Sequence, residues 1–261
     1  MIMNSAVILP ALASGGVIGL ILGLVGGGGS ILAVPLLLYV VGVASPHAAI
    51  GTAAVAVTVN ALASLLGHAR AGRVKWRCAG VFAISGMAGA ALGAELGKAF
   101  DGTRLMILFG LLMIGVGVTM LRKRRTAEAP DVRLTRDSAA ALLPRLVPIG
   151  LAVGLTAGFF GIGGGFLIVP GLILATAMPL RFAIGTSLVV VTALGLATAT
   201  SYAASGLVDW GVTGLLVAGG IGGTIAGIAL GKRLGARKGL LERGFAGVVI
   251  LVGGYVIASS I

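Results

Sequence analysis

The sequence is poor in charge, in aromatic residues and in cysteine, and each scarcity narrows the class of protein. Of the 261 residues, 10% are charged, 5% are aromatic and 58% are hydrophobic, and the mean hydropathy is +1.14. A soluble domain carries about 25% charged residues. The single cysteine, Cys78, allows no internal disulfide and no thiolate metal cluster. We therefore expect an all-α polytopic membrane protein with no metal and no cofactor.

Apolar segments follow one another along the whole chain. A polar stretch at 122–142, which begins with RKRR, separates the first five from the last five. A membrane-spanning helix needs about 20 apolar residues. The second segment, 30–43, is too short, so ten spans and fewer spans with re-entrant pairs both stay open. The segments are 6–25, 30–43, 47–66, 78–98, 104–121, 143–160, 165–177, 180–200, 211–231 and 241–259.

The two halves share one sequence plan. GGGGSILAVP at 26–35 corresponds to GIGGGFLIVP at 161–170, AIGT at 49–52 to AIGT at 183–186, and GRVKW at 72–76 to GLVDW at 206–210. An internal duplication accounts for these matches. We divide the chain into a first repeat, 1–121, a basic cytoplasmic linker, 122–142, and a second repeat, 143–261.

The positive charges predict the orientation of both repeats. If the chain starts outside and each segment reverses direction, all but two of the 19 Lys and Arg residues lie inside, the exceptions being Lys98 and Arg104. Orientation therefore explains the net charge of +12 better than nucleic-acid binding does. Because five is odd, the second repeat enters from the opposite face. This predicts inverted-topology repeats in the bacterial inner (plasma) membrane, with both termini outside.

The two glycine stretches are the candidate substrate site. Glycine and proline are the poorest helix formers, so each stretch breaks a helix where only protein or a water-filled cavity can cover the backbone. We expect new helices to begin at Ser30 and Gly165, with N–H groups and a dipole that attract an anion. Inverted repeats would bring the two breaks together near mid-membrane. The predicted substrate-binding residues are Gly26, Gly27, Gly28, Gly29, Ser30, Thr52, Gly161, Gly163, Gly164, Gly165, Thr186 and Ser187.

Close packing is the competing explanation for the glycines, because membrane helices associate through small residues at four-residue spacing. We favour a binding loop for the two clustered stretches. We favour packing for the spaced glycines, which are Gly89, Gly93 and Gly97 in the first repeat and Gly223, Gly227 and Gly231 in the second.

Other polar residues also have structural interpretations. Thr52 and Thr186 either lie beside the glycine stretches or bond their own helix backbone, and both options stay open. Asn60 has no polar counterpart in the second repeat, so we expect an interhelical hydrogen bond. Glu95 lies one turn before Lys98 and is expected to pair with it.

The paired glycine stretches, the AIGT motifs and the GRVKW and GLVDW loops together resemble the TauE/SafE family of sulfite and organosulfonate exporters. The resemblance spans essentially the whole chain. It implies a membrane permease for small sulfur-containing oxyanions such as sulfite, sulfoacetate or related sulfonates. Ser30 stands where the second stretch has Gly165, so the two halves of any site would differ chemically.

Three functions remain in order of preference. The first is an anion permease that works by alternating access around the glycine loops, and the second is a channel-like anion pore with re-entrant half-helices. The third, a membrane enzyme acting on a lipid-linked phosphate, is last because the segments hold no carboxylate pair and no nucleophile with a base. The expected partners are the anion, the lipid bilayer and a coupling ion, proton or sodium, with a homo-oligomer left open.

Overall fold

The computed structural model describes residues 5–25, 27–121, 132, 134–160, 165–233 and 238–260, and within these residues it contains helices and no strands. Seven helices in this part of the chain are long and apolar enough to cross a membrane. The prediction of an all-α polytopic membrane protein is therefore confirmed. The α-helices are α1 Ser5–Val25, α2 Ala33–Leu36, α3 Pro46–Arg70, α4 Trp76–Ala99, α5 Gly102–Leu121, α6 Arg136–Phe159, α7 Gly165–Thr176, α8 Leu180–Ala204, α9 Trp210–Arg233 and α10 Lys238–Ala258.

A short helical segment follows each glycine stretch. In the first half it comprises a 3-10 helix, Gly27–Leu32, then α2, then a π-helix, Leu37–Val41. In the second half it is α7, which has 12 residues. At about 1.5 Å per residue, neither segment spans a hydrocarbon core of about 30 Å. The short second segment predicted from the sequence is therefore a half-helix, and its counterpart is one as well.

The predicted start of the first half-helix is wrong by several residues. The chain is already helical at Gly27, and Ser30 lies inside the 3-10 helix and not at the first turn of an α-helix. The tighter turn brings Gly29 against α1, where an added Cβ would come within 3.0 Å of Leu22 N and Ile18 O. In the second half, α7 does begin at the predicted Gly165.

The helix after the linker also begins earlier than predicted. We expected the sixth segment to start at 143, whereas α6 starts at Arg136, inside the predicted linker. Thr135 and Ser138 form a capping box, in which each side chain accepts a hydrogen bond from the other residue's backbone N–H. Because the start of α6 is polar, the hydropathy pattern did not reveal its first seven residues, which form about two turns. Most of the linker, residues 122–131 and 133, lies outside the described residues.

Glycines hold together the closest helix pairs. On α4, an added Cβ at Gly89, Gly93 or Gly97 would come within 3.0 Å of the backbone of α6, and on α9 the same holds for Gly223 and Gly227 against α1. Packing is thus confirmed for five of the six spaced glycines. At the sixth, Gly231, an added Cβ would make, with the residues that the structure describes, only an ordinary contact, 3.7 Å from Leu24 Cδ2.

Contacts between helices repeat when the two halves are exchanged. The first helix of each half packs on the fourth helix of the other, which gives the pairs α1 with α9 and α6 with α4. Likewise α3 contacts α9 and α8 contacts α4, while the counterparts α3 and α8, and α5 and α10, contact each other. This reciprocity is what a two-fold relation between the halves produces.

Candidate functional site

The two post-glycine segments meet in the interior of the bundle. The 3-10 helix Gly27–Leu32 and α7 approach each other, with Cα atoms within 8 Å. Gly28, Gly29, Ser30 and Gly165 are all buried. Gly26, Gly161, Gly163 and Gly164, which the sequence also assigns to the site, lie outside the described residues.

Gly29 has a packing role, because its open face lies against the last two turns of α1. The 3-10 helix contacts α1, and a side chain at Gly29 would hold these two elements apart. Ser30, the next residue, is fully buried. It is the first hydroxyl after the first glycine stretch, and the second half has a glycine in its place.

Thr52 and Thr186 each accept a hydrogen bond from a loop of the opposite half. The Oγ1 atom of Thr52 accepts a hydrogen bond from the backbone N–H of Asp209 at 3.0 Å. The Oγ1 atom of Thr186 accepts one from the backbone N–H of Lys75, also at 3.0 Å. Each threonine of an AIGT motif therefore binds the loop that joins the third and fourth helices of the opposite half.

The glycines of the AIGT motifs and of the GxVxW loops explain why these two motifs occur together in each half. An added Cβ at Gly51 would overlap the carbonyl oxygen of Leu207, and one at Gly185 would overlap that of Arg73. Gly72 and Gly206 have positive φ angles of 65° and 69°, which glycine adopts without the steric cost that a Cβ brings.

Those two positive-φ glycines end α3 and α8 in the same way. Arg73 N bonds His68 O and Gly72 N bonds Ala69 O, which is the Schellman pattern. The corresponding bonds at the end of α8 run from Leu207 N to Tyr202 O and from Gly206 N to Ala203 O. The GxVxW loops are thus fixed by glycine turns and are clamped by the opposite AIGT motif.

The other polar residues singled out from the sequence form hydrogen bonds to helix backbones or, in one case, an ion pair. Ser187 Oγ donates to Ile184 O of its own helix at 2.8 Å. Asn60 Nδ2 donates to Leu216 O across the α3 and α9 interface at 3.4 Å, as expected. Glu95 and Lys98 form the predicted ion pair at 2.7 Å.

A cavity that the sequence did not predict lies beside the last turn of α1. It has a volume of about 40 Å³, which is room for roughly three waters. We call it the basic cavity, and its lining includes Leu24, His68, Arg73, Arg181, Ile228 and Gly231. A cluster drawn from four helices and one loop has no signal within any one stretch of sequence.

Comparisons with known proteins agree with this architecture. A family model described as Sulfite exporter TauE/SafE matches residues 11–256. The chain is 51% identical over 250 residues to a probable membrane transporter protein of Xylella fastidiosa (strain Temecula1 / ATCC 700964), covering 96% of this chain and 95% of that protein. It is 28% identical over 239 residues to the probable membrane transporter protein YunE of Bacillus subtilis (strain 168), covering 84% of this chain and 88% of that protein. No solved structure matches the chain.

Proposed function

The chain belongs to the sulfite exporter TauE/SafE family of membrane transporters, and from this premise we propose that it is a permease for small sulfur-containing oxyanions. We propose sulfite, sulfoacetate or a related sulfonate as the substrate. Transport proceeds by alternating access between two inverted repeats, 1–121 and 143–261, joined by the cytoplasmic linker 122–142. The host membrane is the bacterial inner membrane, with both termini outside.

The observation that carries this proposal is the meeting of the two half-helices. In secondary transporters built from inverted repeats, broken helices from the two halves form the substrate site near mid-membrane. Here the 3-10 helix Gly27–Leu32 contacts α7, and each follows a glycine stretch. The reciprocal helix contacts support a two-fold relation between the halves, and the charge pattern of the loops supports its inverted orientation.

Helix ends and a hydroxyl would recognise the anion at this site. The first N–H groups of a 3-10 or α-helix lack partners within the helix, and they point toward the positive end of its dipole. Ser30 adds a hydroxyl on one side only. We propose the two glycine stretches with Ser30 as the substrate-binding elements, and we assign Thr52, Thr186 and Ser187 to structure on the basis of their hydrogen bonds.

Transport assays in proteoliposomes test the proposal. The full chain should take up sulfite or sulfoacetate above the level of empty liposomes, and the flux should saturate and show counterflow. An absence of flux across a panel that also includes thiosulfate would refute the permease. Flux that never saturates and shows no counterflow would instead favour a channel-like pore.

The serine hydroxyl gives a second test, aimed at the site. Ser30→Ala should raise the KM for the transported anion by about tenfold, the effect of one lost hydrogen bond to a charged group. Ser85→Ala is the matched control, because Ser85 Oγ bonds Val81 O within its own helix. If both variants show the wild-type KM, the glycine stretch of the first repeat does not bind the anion through Ser30.

A further inference from the structure

We propose that the basic cavity binds a small oxyanion and is the cytoplasmic entrance to the transport path. This inference rests on the proposed function, but it concerns a different set of residues from the glycine stretches. Its anion ligands are the guanidinium groups of Arg73 and Arg181, which belong to different repeats. The cavity also touches Gly23 and Leu24, the last turn of α1 before the first glycine stretch.

The basic cavity exists because the glycine-packed interface between α1 and α9 is open at one end. Along α9, Gly223 and Gly227 lie directly against the backbone of α1. One turn further, a Cβ at Gly231 would meet, among the residues that the structure describes, only the tip of Leu24. Leu24, Gly231 and Ile228 line the cavity. The opening therefore lies between a helix of the first repeat and a helix of the second, where motion between repeats would widen or close it.

Positive charge is concentrated around this opening. The Arg181 guanidinium lies 4.9 Å from the centre of the Phe182 ring, and Lys75 Nζ lies 4.5 Å from the same ring. Arg73 is held in place because its backbone packs on Gly185. None of the Asp and Glu residues that the structure describes lines the basic cavity. Clustered cations without a lining carboxylate raise the local concentration of anions.

Arginine suits the proposed ligand. Its planar guanidinium offers paired N–H donors to the oxygens of an oxyanion, and such charge-assisted bonds are stronger than neutral ones. The counterparts of Arg73 and Arg181 in the duplicated sequence are Leu207 and His47. The paired arginines are therefore a property of one side of the molecule and not of the repeated plan.

A wider cavity adjoins the basic cavity and shares Arg73 with it. It has a volume of about 380 Å³ and is lined by Gly67, His68, Arg70, Ala71, Arg73 and Ile228. His68, Arg73 and Ile228 line both cavities. An anion that enters beside Arg70 thus reaches Arg73 before it reaches Arg181 and the last turn of α1.

Equilibrium binding to the purified full-length protein tests this site without requiring transport. Isothermal titration calorimetry with sulfite, in a buffer without competing oxyanions, should give a dissociation constant that rises about tenfold in Arg73→Gln and in Arg181→Gln, for one lost charge-assisted bond. Arg145→Gln is the matched control, because it removes the same charge from an exposed position on α6 outside the cavity. Its dissociation constant should stay within about twofold of the wild-type value.

A second variant separates binding from folding. Ile228→Phe leaves both arginines in place but fills the cavity, and we expect it to weaken sulfite binding at least as much as the arginine variants do. A single symmetric gel-filtration peak, as for the wild type, identifies the variants that fold. Wild-type affinity in folded Arg73→Gln, Arg181→Gln and Ile228→Phe would overturn the proposed entrance even if the protein transports sulfite. Binding that depends on the arginines, in a protein that transports no anion, would support the cavity and overturn the permease.

Discussion

The last turns of α1 and α6 are counterparts in the duplicated sequence, yet they are packed differently. At the end of α6, Gly97 of α4 lies against the backbone of Phe159. At the end of α1, among the described residues, a Cβ added at Gly231 of α9 would meet only Leu24 Cδ2, at 3.7 Å. The α6 end also holds a chain of phenylalanine rings, with centroids of Phe100 and Phe159 at 5.1 Å and of Phe159 and Phe160 at 4.9 Å. The end of α6 is therefore closely packed, whereas the end of α1 is packed less tightly.

Polar contacts between α4 and α8 also stabilise the region at the end of α6. Ser201 Oγ donates to Glu95 Oε1 at 2.7 Å, and Lys98 Nζ donates to Ser205 Oγ at 3.1 Å, so α4 of the first repeat is joined to α8 of the second. The counterparts of Glu95 and Ser201 in the duplicated sequence are Ala229 and Gly67. An alternating-access transporter in one state is expected to show this asymmetry, closed at one face and accessible at the other.

The largest expected effect distinguishes the two ends directly. Gly97→Ala should destabilise the protein by about 1 to 3 kcal/mol, because the new methyl overlaps the backbone of α6. Gly231→Ala, at the counterpart position, should change stability by about 0.5 kcal/mol or less. Unfolding of the purified protein in detergent measures both. Equal losses would mean that the two interfaces close equally tightly.

The next largest effects are expected at the two threonines that accept hydrogen bonds from loops of the opposite repeat. Thr52→Val and Thr186→Val should each cost about 1 to 2 kcal/mol, because the partly buried N–H groups of Asp209 and Lys75 lose their acceptor. Thr192→Val is the control, since Thr192 Oγ1 bonds Leu188 O of its own helix, and it should cost about 0.5 kcal/mol or less. If neither variant loses more unfolding free energy than the control, the two loops do not depend on the threonine hydrogen bonds.

The ends of the two half-helices offer a third comparison. Gly42 has a φ angle of 80°, and Ala177, at the corresponding end of α7, has a φ angle of 55°. A Cβ in this left-handed region costs about 1 to 2 kcal/mol. We expect Gly42→Ala to destabilise by about that amount and Ala177→Gly to stabilise by about 0.5 kcal/mol, after the entropy that glycine loses on folding. The same unfolding experiment should therefore give opposite signs, and a matching sign would contradict the assigned backbone strain.

The sequence predicts the helical segments, the half-helices and the glycine packing because these depend on local composition and on periodic spacing. It does not predict the partner of Thr52, because Asp209 is distant along the chain and an AIGT motif contains no information about which loop lies above it. The basic cavity was missed for the same reason, since Arg73 and Arg181 come from different repeats. The spacing also did not predict that an added Cβ at Gly231 would make only an ordinary contact with the described residues, because spacing alone does not give the distance between two helices.

The smallest expected loss concerns Asn60, a buried polar side chain whose counterpart in the second repeat is Leu194. Asn60 lies over Gly220, and its counterpart Leu194 lies over Gly86. Asn60→Leu should therefore fit sterically and lose only the bond to Leu216 O, at a cost of about 0.6 kcal/mol, the average for polar contacts between membrane helices. Transport should be retained at the wild-type rate. Loss of transport with unchanged stability would instead give Asn60 a role in the transport cycle that its helix contact does not explain.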